Sequence, residues 1–109
     1  MTKIRVREQA RFSAERMAKV ALAATSRVLL DLYCLEPGQA QTVHSHADQD
    51  KIYFVLEGQG RFRLDEAEET LEAGEALAAP AGVRHGVANE SGRRLLVLVL
   101  VAPPPPHAG

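Results

Sequence analysis

From residue 27 to residue 101 the apolar residues come in short runs, and a turn signal closes each one. Residues 27–35 stop at Glu36-Pro37-Gly38, residues 52–56 at Gly58, and residues 61–64 at the acidic stretch 65–69. Residues 70–72 lead to Gly74, 76–79 to Pro80, 83–87 to Asn89-Glu90-Ser91-Gly92, and 94–101 to a run of prolines. Runs this short, rich in β-branched and aromatic residues and punctuated by glycine and proline, leave little room for helices of ordinary length. They predict an all-β chain of short strands closed into a sandwich or barrel. Residues 95–101 are aliphatic at every position, so both faces of that strand are expected to be buried. Residues 8–19 read as a short helical turn or an irregular lead-in. The pattern divides the chain into a lead-in with an edge strand over 1–26, a barrel core over 27–102 and a proline-rich tail over 103–109, with 1–102 as one domain.

Composition narrows the class of partner. The chain has 109 residues, 46% of them apolar and 25% charged, which suits one globular domain and excludes a disordered one. A net charge of -1 gives no basic field for nucleic acid or an anionic membrane, so neither is expected as a partner. Cys34 is the single cysteine, which rules out an intramolecular disulfide and reads as a small buried hydrophobe. The basic start lacks the apolar stretch of a signal peptide, and the aliphatic run at 95–102 falls far short of the ~20 residues a spanning helix needs. A cytoplasmic protein is the expectation. The acidic stretch 65–69 reads as a solvated hairpin tip. The four prolines at 103–106 have no amide to donate and predict an extended tail lying on the barrel or on a partner subunit.

Two clusters carry chemistry. The first runs from Gly38 through His44-Ser45-His46 to Gly58. Histidines at i and i+2 of an extended segment point to one face, so both imidazoles can converge on one ion. The second reads Gly74-x5-Pro80-x-Gly82-x2-His85-x3-Asn89, a tight turn that presents a histidine at a strand start. Asn89 is expected to bond backbone groups of a turn. Tyr53, Phe54 and Phe62 are explained first by core packing and second by pocket lining, and Arg61, Arg63 and Arg84 by solvated strand faces. His107 lies in the tail and is incidental.

Together these residues resemble the cupin superfamily, whose two motifs read G-x5-H-x-H-x3–4-E-x6-G and G-x5-P-x-G-x2-H-x3-N. The second motif matches at every fixed position. The first matches at Gly38, His44, His46 and Gly58 but lacks the glutamate: Lys51 stands there counting back from Gly58, Asp50 counting on from His46. The resemblance implies a double-stranded β-helix, a jelly-roll barrel whose mouth holds one divalent transition metal ion (iron, manganese, nickel, copper or zinc). It implies His44, His46 and His85 as the metal ligands. Asp50 would supply a carboxylate only if a local bulge turned it inward. A lysine aimed at the same ion opposes binding, so Lys51 is expected to face outward; facing inward, it would suit a metal-free pocket that binds anions.

Three neutral imidazoles leave open positions on a divalent ion and favour anionic or chelating ligands. The resemblance therefore implies an open three-histidine site acting on a small organic molecule, in the manner of a dioxygenase. The alternative is a cupin that binds a small ligand, with or without metal, and does not turn it over. No catalytic group beyond the histidines stands out, so whether the chain is an enzyme stays open. The aliphatic run at 95–101 and the segment Ile4-Arg5-Val6, placed to add an edge strand to a neighbour, predict a homodimer.

Overall fold

Alternating burial along the strands sorts the side chains to two sides of a sheet, and two such sheets face each other. The computed structural model describes residues 3–45 and 47–105. Its strands are β1 (Ala18–Ala24), β2 (Leu29–Leu35), β3 (Asp50–Glu57), β4 (Gln59–Leu64), β5 (Ala67–Glu72), β6 (Ala76–Ala79), β7 (His85–Ala88) and β8 (Leu95–Ala102). One sheet has the order β1-β2-β8-β3-β6 and the other β5-β4-β7, with antiparallel pairing throughout. This is the double-stranded β-helix expected from the sequence. Among the described residues no helix is long and apolar enough to cross a membrane.

The core lies between the sheets. Tyr33 and Leu35 of β2, Tyr53 and Val55 of β3, Phe62 of β4, Leu71 of β5, Val87 of β7 and the odd-numbered residues of β8 from Leu95 to Val101 form one buried cluster. Phe54 alternates the other way. It faces out and is 37% exposed, so neither core packing nor pocket lining describes it.

The outer face of the larger sheet is covered in part by the chain's own start. Val6, Ala10 and Phe12, with Ala18, Val20 and Leu22 of β1, pack over Leu32, Cys34 and Leu96. Cys34 is fully buried there, as a small hydrophobe would be. Within residues 1–26, expected as a lead-in with an edge strand, the only helical turn among the described residues is a 3-10 turn at Val6–Gln9, which begins ahead of residues 8–19. Residues 4–6 pair with no strand of this chain, and the edge strand of the chain's own sheet is β1, at residues 18–24 beside β2. Their alanine-rich composition has weak strand propensity, and pairing with β2 decides the outcome. β8 is likewise covered unevenly: its inner face is buried, while Leu98 and Leu100 on the outer face are half-buried beside Ile52 and Phe54.

The motif glycines earn their positions through backbone shape. Gly38, Gly58, Gly74 and Gly82 all have positive φ, between 84° and 92°. Gly58 is the most constrained, because a Cβ there would overlap the Arg94 carbonyl.

Candidate metal and ligand site

His44 and His85 meet because two backbones lie alongside one another. The segment from Gly38 to His44 runs beside β7 and extends the smaller sheet. Gln41 N donates to Val87 O at 2.8 Å, His44 N to His85 O at 3.0 Å, and His85 N back to His44 O at 2.8 Å. Gly86 permits this approach, since a Cβ there would sit 3.1 Å from Val43 Cγ2 and 3.2 Å from Gln41 O. Sequence reading passed over Gly86; its place beside a motif histidine was the available signal.

The two rings lie side by side, with centroids 4.6 Å apart and planes at 61°. His85 is 1% exposed and His44 half-buried. Each ring holds Nδ1 against the carbonyl two residues earlier: His44 to Thr42 O at 2.6 Å, His85 to Val83 O at 2.9 Å. A carbonyl only accepts, so Nδ1 carries a proton, and in the neutral ring Nε2 is left with the lone pair. That tautomer, with the ring fixed by a backbone partner, is the form in which imidazole ligates a divalent ion. These two histidines fit a metal. The third expected ligand, His46, lies outside the described residues, as does His107. Among the described residues no group of three histidine, cysteine or acidic side chains comes together.

Neither candidate for the missing glutamate supplies a carboxylate. The β3–β8 register runs unbroken from Asp50 to Val55, so no bulge turns Asp50 inward. Asp50 is exposed and its Oδ1 accepts from Ala81 N at 2.9 Å, tying the turn that precedes His85. The same register turns Lys51 into the barrel, 5% exposed, against the expectation that it faces outward. Its Nζ donates to the Tyr33 hydroxyl at 3.3 Å and lies 5.7 Å from the ring centres of both Tyr33 and Tyr53. Cation–π contact and the phenol oxygen replace part of the water that the ammonium gives up.

A polar cluster surrounds it. Gln41 Nε2 donates to the Tyr33 hydroxyl at 3.1 Å, and Tyr53 Oη donates to Gln41 Oε1 at 3.0 Å. The Tyr53 ring lies 6.2 Å from that of His85, which joins this cluster to the histidine pair. Burial, helped by Lys19, pushes Lys51 down to about 8, with Asp31 opposing. Burial raises the carboxyl of Asp31 against the pull of Lys19 and Lys51, and pushes the Tyr33 phenol up to about 12.

Asn89 behaves as a turn-former. It is 1% exposed, with Nδ2 donating to Leu35 O at 3.1 Å and Arg93 O at 2.7 Å and Oδ1 accepting from Ser91 N and Oγ. Of the stretch 65–69, expected as a hairpin tip, only Asp65 and Glu66 form the β4–β5 turn; residues 67–69 already belong to β5, paired with residues 62–64 of β4. Arg61 lies on the surface and pairs with Glu68 at 3.3 Å.

Comparison with known proteins agrees with this architecture. The family described as "Cupin domain" matches residues 31–101. The chain is 47% identical to TT1209 from Thermus thermophilus, covering 96% of this chain and 100% of that one with a TM-score of 0.94. A double-stranded β-helix protein of Klebsiella pneumoniae superposes with a TM-score of 0.88 over 100% of this chain and 94% of that one; at 23% identity it bears on the fold alone. The tetracenomycin polyketide synthase protein TcmJ of Streptomyces glaucescens is 34% identical over 77 residues, 69% of this chain and 52% of that protein. The chain spans about half the length of the curated relatives it matches.

Proposed function

The chain belongs to the cupin family, and on that premise we propose that its barrel holds one divalent metal ion through His44, His46 and His85 and binds a small organic anion there. The observation that carries this reading is the paired Nδ1–carbonyl contacts of His44 and His85, which fix both rings in the ligating tautomer. When bound, such an ion supplies Lewis-acid polarisation of a ligand oxygen, or a site where dioxygen and a substrate meet. The chain's own groups hold and orient. Thr42 O and Val83 O set the rings, and Gln41, Tyr33 and Tyr53 form a fixed polar wall beside them. With no carboxylate among the ligands, the negative charge must come from the bound molecule. Similarity to a polyketide synthase protein supports an organic ligand.

A metal titration by calorimetry on chelator-stripped protein tests this. One equivalent of a divalent transition metal should bind to the unaltered chain, and none to His85→Ala or His44→Ala while the fold survives. Equal metal binding by these variants would remove the histidines from the site. Oxygen uptake by the loaded protein with small carboxylates or diketones then separates an enzyme from a binder.

The inward Lys51 favours a second reading, a metal-free barrel that binds anions. An ammonium near a dication costs several kcal/mol in a poorly solvated site. Burial lessens that cost by holding the amine down to about 8, so that part of the population is neutral near that pH. The titration above decides between the two.

A further inference from the structure

Lys51 brings an ammonium into the barrel and finds a single hydrogen-bond acceptor. The residue is 5% exposed, and among the described residues Nζ bonds only Tyr33 Oη, at 3.3 Å. An ammonium has three donors, and buried cations are otherwise paired. Asp31, itself 5% exposed, acts on Lys51 and Lys19 through space, yet among the described residues neither lysine forms an ion pair. Lys19 Nζ lies 5.2 Å from the Tyr33 ring centre and Lys51 Nζ 5.7 Å, so two ammonium groups attend one phenol.

The cationic character continues to the surface. A cavity of about 580 Å³ is lined by Arg16, Met17, Lys19, Gln41, Thr42 and His44, among others, with no acidic side chain. Gln41 belongs both to this lining and to the bonds with Tyr33 and Tyr53, so the cavity and the buried amine share a wall. Arg16, Lys19 and Lys51 together outnumber Asp31, leaving positive charge for a ligand to answer. Arginine is absent from the buried polar residues among those described. The interior thus offers one compact ammonium beside a phenol, a single charge that one carboxylate answers, whereas a phosphate dianion would bury charge left unpaired.

We propose that Lys51 is the anchoring residue for the carboxylate of a small organic acid, admitted past Arg16 and Lys19. This rests on the reading that the barrel takes a small ligand, and it holds with or without a metal. Lys51 then sets specificity: an acid is accepted, and its neutral amide is refused.

The test titrates chelator-stripped full-length protein with pyruvate, and with pyruvamide as the neutral counterpart, by calorimetry. The unaltered chain should bind pyruvate at least tenfold more tightly than pyruvamide. Lys51→Met and Lys51→Gln should each weaken pyruvate at least tenfold, whereas Arg27→Ala, on the exposed turn between β1 and β2, changes it less than threefold. Wild-type affinity in folded Lys51→Met or Lys51→Gln overturns the assignment. Should neither variant fold, nitrogen-labelled wild type decides: pyruvate should shift the Gln41 side-chain amide, and an unmoved signal overturns the proposal. Failure of the wild type to bind pyruvate also overturns it. If the same protein still takes up one equivalent of metal, only this inference falls; if it takes up none, the reading of the barrel falls with it.

Discussion

At Lys51 the chain carries a cation where its family's first motif carries a carboxylate, and the consequences of that exchange are measurable. Lys51→Glu would remove a like charge from the surroundings of the proposed ion and supply the carboxylate that the first motif lacks here. Metal affinity in that variant should rise at least tenfold, about 1.4 kcal/mol, in a chelator-competition titration; an unchanged constant would place residue 51 away from the ion. The amine also makes stability depend on pH. Its ordinary value is 10.5 and burial in the folded chain brings it to about 8, so between those values the unfolded chain binds the extra proton. Stability therefore rises with pH across that window, by at most about 1.4 kcal/mol per unit. From about pH 9 the Cys34 thiol, raised by burial from its ordinary 9.0, opposes this rise, and above pH 10 the buried phenols reverse the sign. Tyr33, held up to about 12, and Tyr53, raised also by burial, keep protons that the unfolded chain has already lost. Urea denaturation from pH 7 to 11 should show a maximum between about pH 9 and 10, and Lys51→Met should abolish the rise below it. A flat profile in the wild type would mean that the amine is solvated.

Among the elements, two turns carry constraints that single substitutions can test. Gly58→Ala puts a Cβ against the Arg94 carbonyl in a positive-φ position and should cost about 1–3 kcal/mol in denaturant unfolding. Loss of less than half a kcal/mol would mean that the β3–β4 turn is free to relax. Asn89→Ala removes the side chain that ties the end of β2 to the turn before β8, taking a donor from the buried Leu35 carbonyl and leaving Arg93 O to Ser91 Oγ alone. A loss of about 1–3 kcal/mol is expected. Most strands from β2 onward were legible in the sequence because their runs alternate or stay aliphatic between strong turn signals; the acidic first half of β5, buried only at Leu71, read as a turn. The motif glycines were legible for the same reason, as spacings that only a positive-φ turn explains. β1 was not legible, since alanine-rich residues 18–24 owe their strand to the neighbour β2 rather than to local preference. The orientation of Lys51 escaped for a related reason. Charge alone argued for solvent, and the unbroken β3–β8 register overruled it. His44 and His85 were brought together as expected, but Gln41 carries no motif signal, and only the fold puts it between Tyr33 and Tyr53.

At the scale of the whole molecule, one exposed patch and the proposed ion site can each be tested directly. Ile52 and Phe54, 42% and 37% exposed, lie on the outer face of the larger sheet, opposite Leu100 and Leu98 of β8. The N-terminal segment covers the neighbouring part of that face and stops short of this patch. We propose that a second copy of the chain covers it: sedimentation at tens of micromolar should show a dimer, and Phe54→Lys a monomer. A monomeric wild type would leave the patch to another partner. The central claim is the histidine-held ion, and elemental analysis of protein purified without chelators tests it most directly. About one equivalent of a single divalent transition metal in the wild type, falling to background in His85→Ala, is the result this account predicts; less than about a tenth of an equivalent in the wild type, even after reconstitution with each candidate metal, would contradict it.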